Sequence, residues 1–442
     1  MLAGPGEGAR LPINRHGAIN MDYLLVVQAP AYPLGPERFA IESAFAVHLK
    51  MLLDELGERF DRIVLMAPTL DENVYQHSKR TLAELSAVDD RIVLFPVPEA
   101  RLSIGAFWRS ARPLWRRMRE LVKRVGFVHT GLGADTYRPS IAMLNLAAWM
   151  ERKPLMFFID IDFRQLSQRS YKLGIWGRKS YIINRVLHDK VKLAQVKWAI
   201  RKYDLVMLKS RSMVADLGGG RENVRFFLDA AHSDCDMIEN DRLEQRLSQL
   251  GEAGRELQVV YFGRLVPYKG CKYMIEAING ARRQGAAVSL TFIGDGESLP
   301  ELEAHVKELG LQKAVNFLPP TPYGKPLFDL IDKADLAIAS PTVEDTPRAA
   351  LDAMARGLPI LAFDIDYFKS LAEMSDAVAL ASWPDPASLT AELISLDKDR
   401  ARIATMARRA VVFARNNSQN IWLQRRVTWT FEALDKFASK AG

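Results

Sequence analysis

The chain has 442 residues, 48% of them hydrophobic, 26% charged and 9% aromatic. These proportions exclude a disordered, collagen-like or coiled-coil chain, and the length favours two domains of roughly 200 residues each over a single core. Two cysteines, Cys235 and Cys271, supply neither a disulfide framework nor a cysteine-rich zinc site, and a net charge of +7 points to an anionic partner.

Residues 1–20 are rich in Gly, Pro and polar side chains, lack periodicity and read as a flexible tail with no secretory signal. Met21 directly precedes the first strand-like run and reads as an alternative start. From there short apolar runs alternate with amphipathic segments. Tyr23–Ala29, Ile63–Pro68, Ile92–Val97, Phe127–Thr130, Leu155–Asp160 and Leu205–Leu208 are the strand candidates of the first half. Most are continuously apolar, as strands buried on both faces of a parallel sheet are. Phe39–Leu56 keeps one face apolar at helical spacing through Ala40, Ala44, Val47 and Met51. The second half repeats the alternation, with strands expected at Leu257–Gly263, Val288–Gly294, Ala314–Leu318, Leu336–Ser340, Leu358–Phe363 and Ala377–Ala381. The pattern predicts an α/β chain of two doubly wound, Rossmann-like domains facing across a cleft. The first spans 21–230, a polar linker 231–256, the second 257–415, and a final helix over 416–442 returns towards the first. No apolar run reaches the ~20 residues that a membrane-spanning helix needs.

Ligands of such sheets bind beyond the carboxyl ends of strands, and three groups of residues fall there. Gly263, Arg264, Lys269 and Gly270 follow a strand; a guanidinium and an ammonium flanking one turn suit a diphosphate. Gly294-Asp295-Gly296 follows another and gives room for a ligand against the backbone. Glu344, Asp345 and Thr346 precede a helix for which Thr346 reads as the N-cap and Pro347 as the first residue, with Asp352 about one and a half turns inside. Such a helix start favours phosphate or sugar oxygens. The same residues also read as solvated loop cations and as acids complementing a helix dipole.

In their order and spacing these groups resemble the retaining nucleotide-sugar glycosyltransferases of family 4, of GT-B fold, over residues 257–364. The resemblance implies that Arg264 and Lys269 hold the donor diphosphate, that Glu344 contacts the donor sugar and that the N–H groups of Asp345 and Thr346 help orient it. Asp352, eight residues after Glu344, takes a place usually held by a glutamate that binds ribose. It implies a nucleotide-sugar co-substrate; no metal or other cofactor is expected, because no histidine cluster stands at a matching strand end, although Asp160 and Asp162 have Asp-x-Asp spacing. The first half departs from the family. The usual glycine-rich loop is replaced by Gln28–Pro36, with Gly35 its one glycine, and the usual histidine is absent from Phe157–Asp162, where Asp160 or Asp162 stands in. His129 ends another strand and reads as a hydrogen-bonded structural residue or a cleft residue.

Two basic, aromatic stretches, 108–124 with Trp108 and Trp115 and 168–202 with Trp176 and Trp198, suit an anionic membrane surface. No nucleic-acid-binding module is present. The combined expectation is a cytoplasmic enzyme, peripheral on the inner face of the membrane, that transfers sugar to a glycan or lipid-linked acceptor in polysaccharide assembly. The rival readings are an epimerase or phosphorylase of the same fold and a non-catalytic scaffold.

Overall fold

The computed structural model describes residues 21–35, 38–70, 82–252 and 254–441, so the expected tail at 1–20 lies outside the described residues. In chain order the strands of the first half are β1 (Asp22–Val26), β2 (Tyr32–Gly35), β3 (Arg38–Glu42), β4 (Arg62–Ala67), β5 (Leu82–Glu84), β6 (Ile92–Pro96), β7 (Val125–Gly131), β8 (Leu155–Ile159), β9 (Leu205–Leu208) and β10 (Val224–Phe226). Seven of them form a sheet in the order β10-β9-β8-β7-β1-β4-β6, with every pairing parallel. The second half contributes β11 (Leu257–Phe262), β12 (Val288–Ile293), β13 (Val315–Leu318), β14 (Leu336–Ala339), β15 (Ile360–Phe363) and β16 (Val378–Ala381), in the order β13-β12-β11-β14-β15-β16 and again all parallel.

The continuous apolar runs have a simple cause. Alternate residues of a strand face opposite sides, and both sides are covered. Tyr23 and Leu25 of β1 enter one buried cluster while Leu24 and Val26 enter another, and Ile63 and Leu65 of β4 are divided from Val64 and Met66 in the same way. The first of these clusters continues through Phe227, Leu228 and Ala230 to Val260, Ile293, Ala337 and Ile360 of the second sheet, so one apolar core joins the halves.

Three local expectations are corrected. Phe39–Glu42 is not the start of the first helix but part of strand β3, which pairs antiparallel with β2 and β5 in a small third sheet; the helix covers Ser43–Leu56. Glu42 turns the chain from strand to helix, and Gly35, at φ +147°, ends β2. The short β10 was not expected, because Val-Arg-Phe carries too few apolar residues to read as a strand. The polar stretch 231–256 contains a helix, Asn240–Gln249, whose Leu243 and Leu247 pack into the core of the second sheet.

The last helix, Gln419–Ala441, lies against the first half: Phe431 stacks on Phe60, Trp422 meets Phe226 edge-on, and Asp435 pairs with Arg59. Where the chain leaves the first half and where it comes back, the two segments are tied together. His232 Nε2 lies 3.0 Å from the Ala414 carbonyl, and the Gln419 amide donates to the His232 carbonyl at 2.8 Å.

Gly294 holds a position that only glycine fits. Its φ is +151° and a Cβ there would lie 2.0 Å from the Gly263 carbonyl oxygen. Gly294→Ala should therefore lower the melting temperature measurably, by backbone strain of about 1–3 kcal/mol before the clash is counted; a melt indistinguishable from wild type would contradict this packing.

Candidate functional site

In each sheet the strand order reverses beside its first strand: β1 lies between β4 and β7, and β11 between β12 and β14. Crevices form outside the carboxyl ends of strands at such reversals. The loops after β11 and β14 carry the residues singled out from sequence, and side chains following β8 and β9 of the first sheet meet them.

The loop after β11 is built as a narrow turn. Gly263 has φ +141°, Pro267–Lys269 form a single 3-10 turn, and Gly270 at φ +67° leads into the helix Cys271–Arg283. A Cβ on Gly270 would sit 2.0 Å from the Ser340 carbonyl oxygen, so the close contact of the two loops depends on that glycine. Ser340 Oγ donates to the Gly270 carbonyl at 2.8 Å and the Thr342 amide to the Tyr268 carbonyl at 2.8 Å. Pinned in this way, Lys269 Nζ reaches Asp345 at 2.5 Å, and Arg264 donates to the Tyr268 hydroxyl at 2.9 Å. The Tyr268 contact raises the Arg264 pKa, and Glu42 of the first half adds to the effect, which places this guanidinium at the junction of the halves.

Glu344 is the most constrained of these groups. Its carboxylate is buried, accepts from the Tyr367 amide at 2.8 Å and the Asp366 amide at 3.3 Å, and receives Arg169 Nη1 at 3.0 Å. The amides open the helix Asp366–Ser375, and an acid at that end complements its dipole. Arg169 belongs to the helix Leu166–Lys172 of the first half. It was expected on a lipid-facing surface; it is instead buried, with its guanidinium 5.2 Å from the centre of the Trp383 ring. A run of basic residues in sequence does not distinguish the one that turns inward.

Further contacts join the halves around Glu344. Gln165 donates to Asp366 at 3.2 Å, Lys209 Nζ to the Thr346 carbonyl at 3.2 Å, and Thr346 Oγ1 to the Asp160 carbonyl at 2.9 Å. Thr346 is thus not an N-cap. Pro347 occupies the cap position, and the helix is Arg348–Ala355, because the threonine hydroxyl is used across the crevice. Lys209 was missed, although a lone lysine ending the apolar strand β9 is the kind of signal that marked Asp160 on β8.

Other expected residues are placed differently. The Gly294-Asp295-Gly296 turn is approached by the backbone of residues 263 and 265 rather than left open to a ligand. Asp352 is buried and turned to the segment entering the second half: its Oδ1 accepts from the His232 amide at 2.9 Å and the Ala231 amide at 3.2 Å, with the Tyr323 hydroxyl at 3.4 Å. Its side chain thus holds the backbone of the segment that enters the second half. Of the two acids ending β8, Asp160 is exposed at the crevice, whereas Asp162 is buried in a fork of bonds from Arg164 and also accepts from Ser210 at 3.2 Å. His129 Nδ1 lies 2.8 Å from the Tyr23 hydroxyl. Burial, with Arg426 and His48 adding to it, pushes the His129 pKa down to about 3, so the ring is neutral.

Residues 244–412 match the family described as glycosyl transferases group 1. A D-inositol 3-phosphate glycosyltransferase of Nocardia farcinica is 30% identical over 39% of this chain and 40% of its own length, so the chain spans about two fifths of that curated relative. Among solved structures, Anabaena HepE in complex with UDP and glucose superposes with a TM-score of 0.62 at 17% identity, covering 93% of this chain and all of HepE. WaaG, a glycosyltransferase involved in lipopolysaccharide biosynthesis, gives 0.61 at 14% identity over 92% of this chain and 98% of its own. The fold is GT-B.

Burial raises the Glu344 carboxyl to about 7, against the opposing influence of Arg169 and the Tyr367 amide. The folded chain therefore keeps a proton that the unfolded chain releases near the ordinary value of 4.5. The stability so gained is complete below that ordinary value and is lost as pH rises through the folded value. Between about pH 5 and about pH 8 the melting temperature of wild type should thus fall relative to Glu344→Gln. A difference that stays constant over this range would contradict the assignment.

Proposed function

We propose that the chain is a retaining glycosyltransferase of family 4 that moves a sugar from a nucleotide-sugar donor to an acceptor hydroxyl. The observation that carries this reading is the convergence of Arg264, Lys269 and Glu344 on the carboxyl edge of the second sheet, where Arg169, Lys209 and Asp160 of the first sheet meet them. The group 1 glycosyl transferase match over residues 244–412 supports it, as does a GT-B neighbour crystallised with UDP and glucose. In this reading 257–415 is the donor side and 21–230 the acceptor side, with 231–256 joining them.

The chemistry follows from charge. Breaking the bond between sugar and diphosphate leaves negative charge on the departing nucleotide, and Arg264 and Lys269 are the groups that neutralise it. Lys269 is held in position by Asp345. Glu344, fixed by two amides and Arg169, is placed to orient sugar hydroxyls rather than to move freely. Asp160, exposed at the end of β8, faces the reacting sugar. Positioning and charge stabilisation carry the reaction, and the reading assigns no metal or other cofactor a step.

Titration calorimetry with UDP and a panel of nucleotide sugars tests the reading. At least one donor should bind, Lys269→Ala should weaken it about tenfold or more, and Lys269→Ala and Glu344→Ala should both abolish transfer while the circular dichroism spectrum is retained. No binding by any donor, or near-wild-type turnover in either variant, would overturn it. Nuclear magnetic resonance of the product anomer decides whether configuration is retained.

We further propose that the acceptor is lipid-linked or membrane-proximal and belongs to cell-envelope polysaccharide assembly. No helix among the described residues is long and apolar enough to cross a membrane. Support for a peripheral association comes from residues 175–187, where Ile175, Ile182, Ile183, Val186 and Leu187 are exposed beside Arg178, Lys179 and Arg185. Apolar side chains at solvent among cations suit the headgroup boundary of an anionic bilayer. Trp108 at the start of the 108–124 stretch is likewise exposed, whereas Trp198 packs on Trp149 and Tyr203. Co-sedimentation with anionic vesicles should occur at low salt, weaken as salt is added, and drop severalfold in Val186→Asp. Absence of binding at low salt would remove the proposal.

A further inference from the structure

Behind the Glu344 loop, three cations from three different elements face one carboxylate. Asp229, in the segment that follows β10, has Lys209 Nζ and Arg348 Nε each 4.0 Å from its Oδ2 and Arg426 Nη2 3.9 Å from its Oδ1. All three distances are beyond hydrogen-bonding range. Lys209 ends β9, Arg348 opens the helix Arg348–Ala355, and Arg426 projects from the last helix. Arg426 is only 8% exposed, and its Nη2 has no hydrogen-bond partner among the described residues. The neighbouring imidazoles are neutral and add no further positive charge: burial and Arg426 hold His48 down to about 4 and His129 to about 3. Asp160 and Asp345 lie close enough to act on Lys209, but Asp345 is itself paired with Lys269.

A buried guanidinium N–H without an acceptor is costly, and excess positive charge in a crevice adds to the cost. An anion with several oxygens removes both penalties, since a guanidinium fork and an ammonium each donate to it. The crevice is open to such a ligand: the Asp229 and Arg348 side chains are 26% and 38% exposed.

We propose that Lys209, Arg348 and Arg426 form a second anion subsite, separate from the Arg264–Lys269 pair, that takes a phosphate monoester or carboxylate carried by the acceptor. Attribution of the anion to an acceptor rests on the glycosyl-transfer reading; the subsite itself does not.

Inorganic phosphate is the probe, added to the full chain and compared with sodium chloride of equal ionic strength, with UDP as the second ligand. Phosphate should bind wild type by calorimetry, bind at least tenfold more weakly to Arg348→Gln and Lys209→Met, and remain bound when UDP is saturating. UDP affinity should change less than twofold in Arg348→Gln, while Arg264→Gln should lose UDP and keep phosphate. Arg348 is part-exposed, so its variant keeps the test valid if Lys209→Met fails to fold. The proposal is overturned if chloride reproduces the phosphate effect, if Arg348→Gln binds phosphate as wild type does, or if UDP displaces phosphate, which would make the cluster part of the donor diphosphate site. Arg348-dependent phosphate binding without UDP binding would uphold the subsite and instead count against the donor reading.

Discussion

The arrangement of the crevice depends on one buried ion pair, Arg169 with Glu344. The partners are 175 residues apart in sequence and belong to different halves of the chain. A buried pair contributes little net stability over an apolar replacement, yet removing one partner leaves an uncompensated charge and costs about 3–5 kcal/mol. The pair is better understood as a device for position. It fixes Glu344 against the helix Asp366–Ser375, and with Gln165 and Lys209 it sets the loop after β14 against the ends of β8 and β9. The raised carboxyl pKa of Glu344 belongs to the same arrangement, because burial outweighs the guanidinium beside it.

The two halves contribute unequal chemistry. The second sheet supplies short loops whose shape is dictated by glycines and by hydrogen bonds between adjacent turns, so its polar groups are held rigidly. The first sheet supplies longer-range partners: a carbonyl from Asp160, an ammonium from Lys209 and a guanidinium from Arg169. In the same half, strands β2 and β3 pair antiparallel after β1, and Glu42 at the end of β3 acts on Arg264.

The strands were legible because a parallel sheet covered on both sides demands uninterrupted apolar residues, and Tyr23–Val26 of β1, Ile63–Ala67 of β4 and all of β15 have them. The motifs of the second half were legible because each is local, with Arg264, Lys269 and Glu344 within a few residues of a strand end. What sequence could not show is direction and distance. Nothing in Gln168-Arg169-Ser170 marks the arginine as the one that leaves a basic surface for the interior. Thr346 has the grammar of a cap, but its hydroxyl has a partner in the other half. Asp352 is one methylene shorter than a glutamate, and only the structure reveals the backbone of residues 231 and 232 as what it holds.

The knot at His232 has a mechanical consequence. The two covalent crossings between the halves are tied together there, since His232 in the first bonds to Ala414 and Gln419 in the second. Translation of one half away from the other would tear these bonds, whereas a swing about the junction would leave them intact. A relative displacement that kept these bonds would turn about the junction rather than slide. Such a turn would have to break the Arg169, Gln165, Lys209 and Thr346 contacts and disturb the apolar packing that the two sheets share.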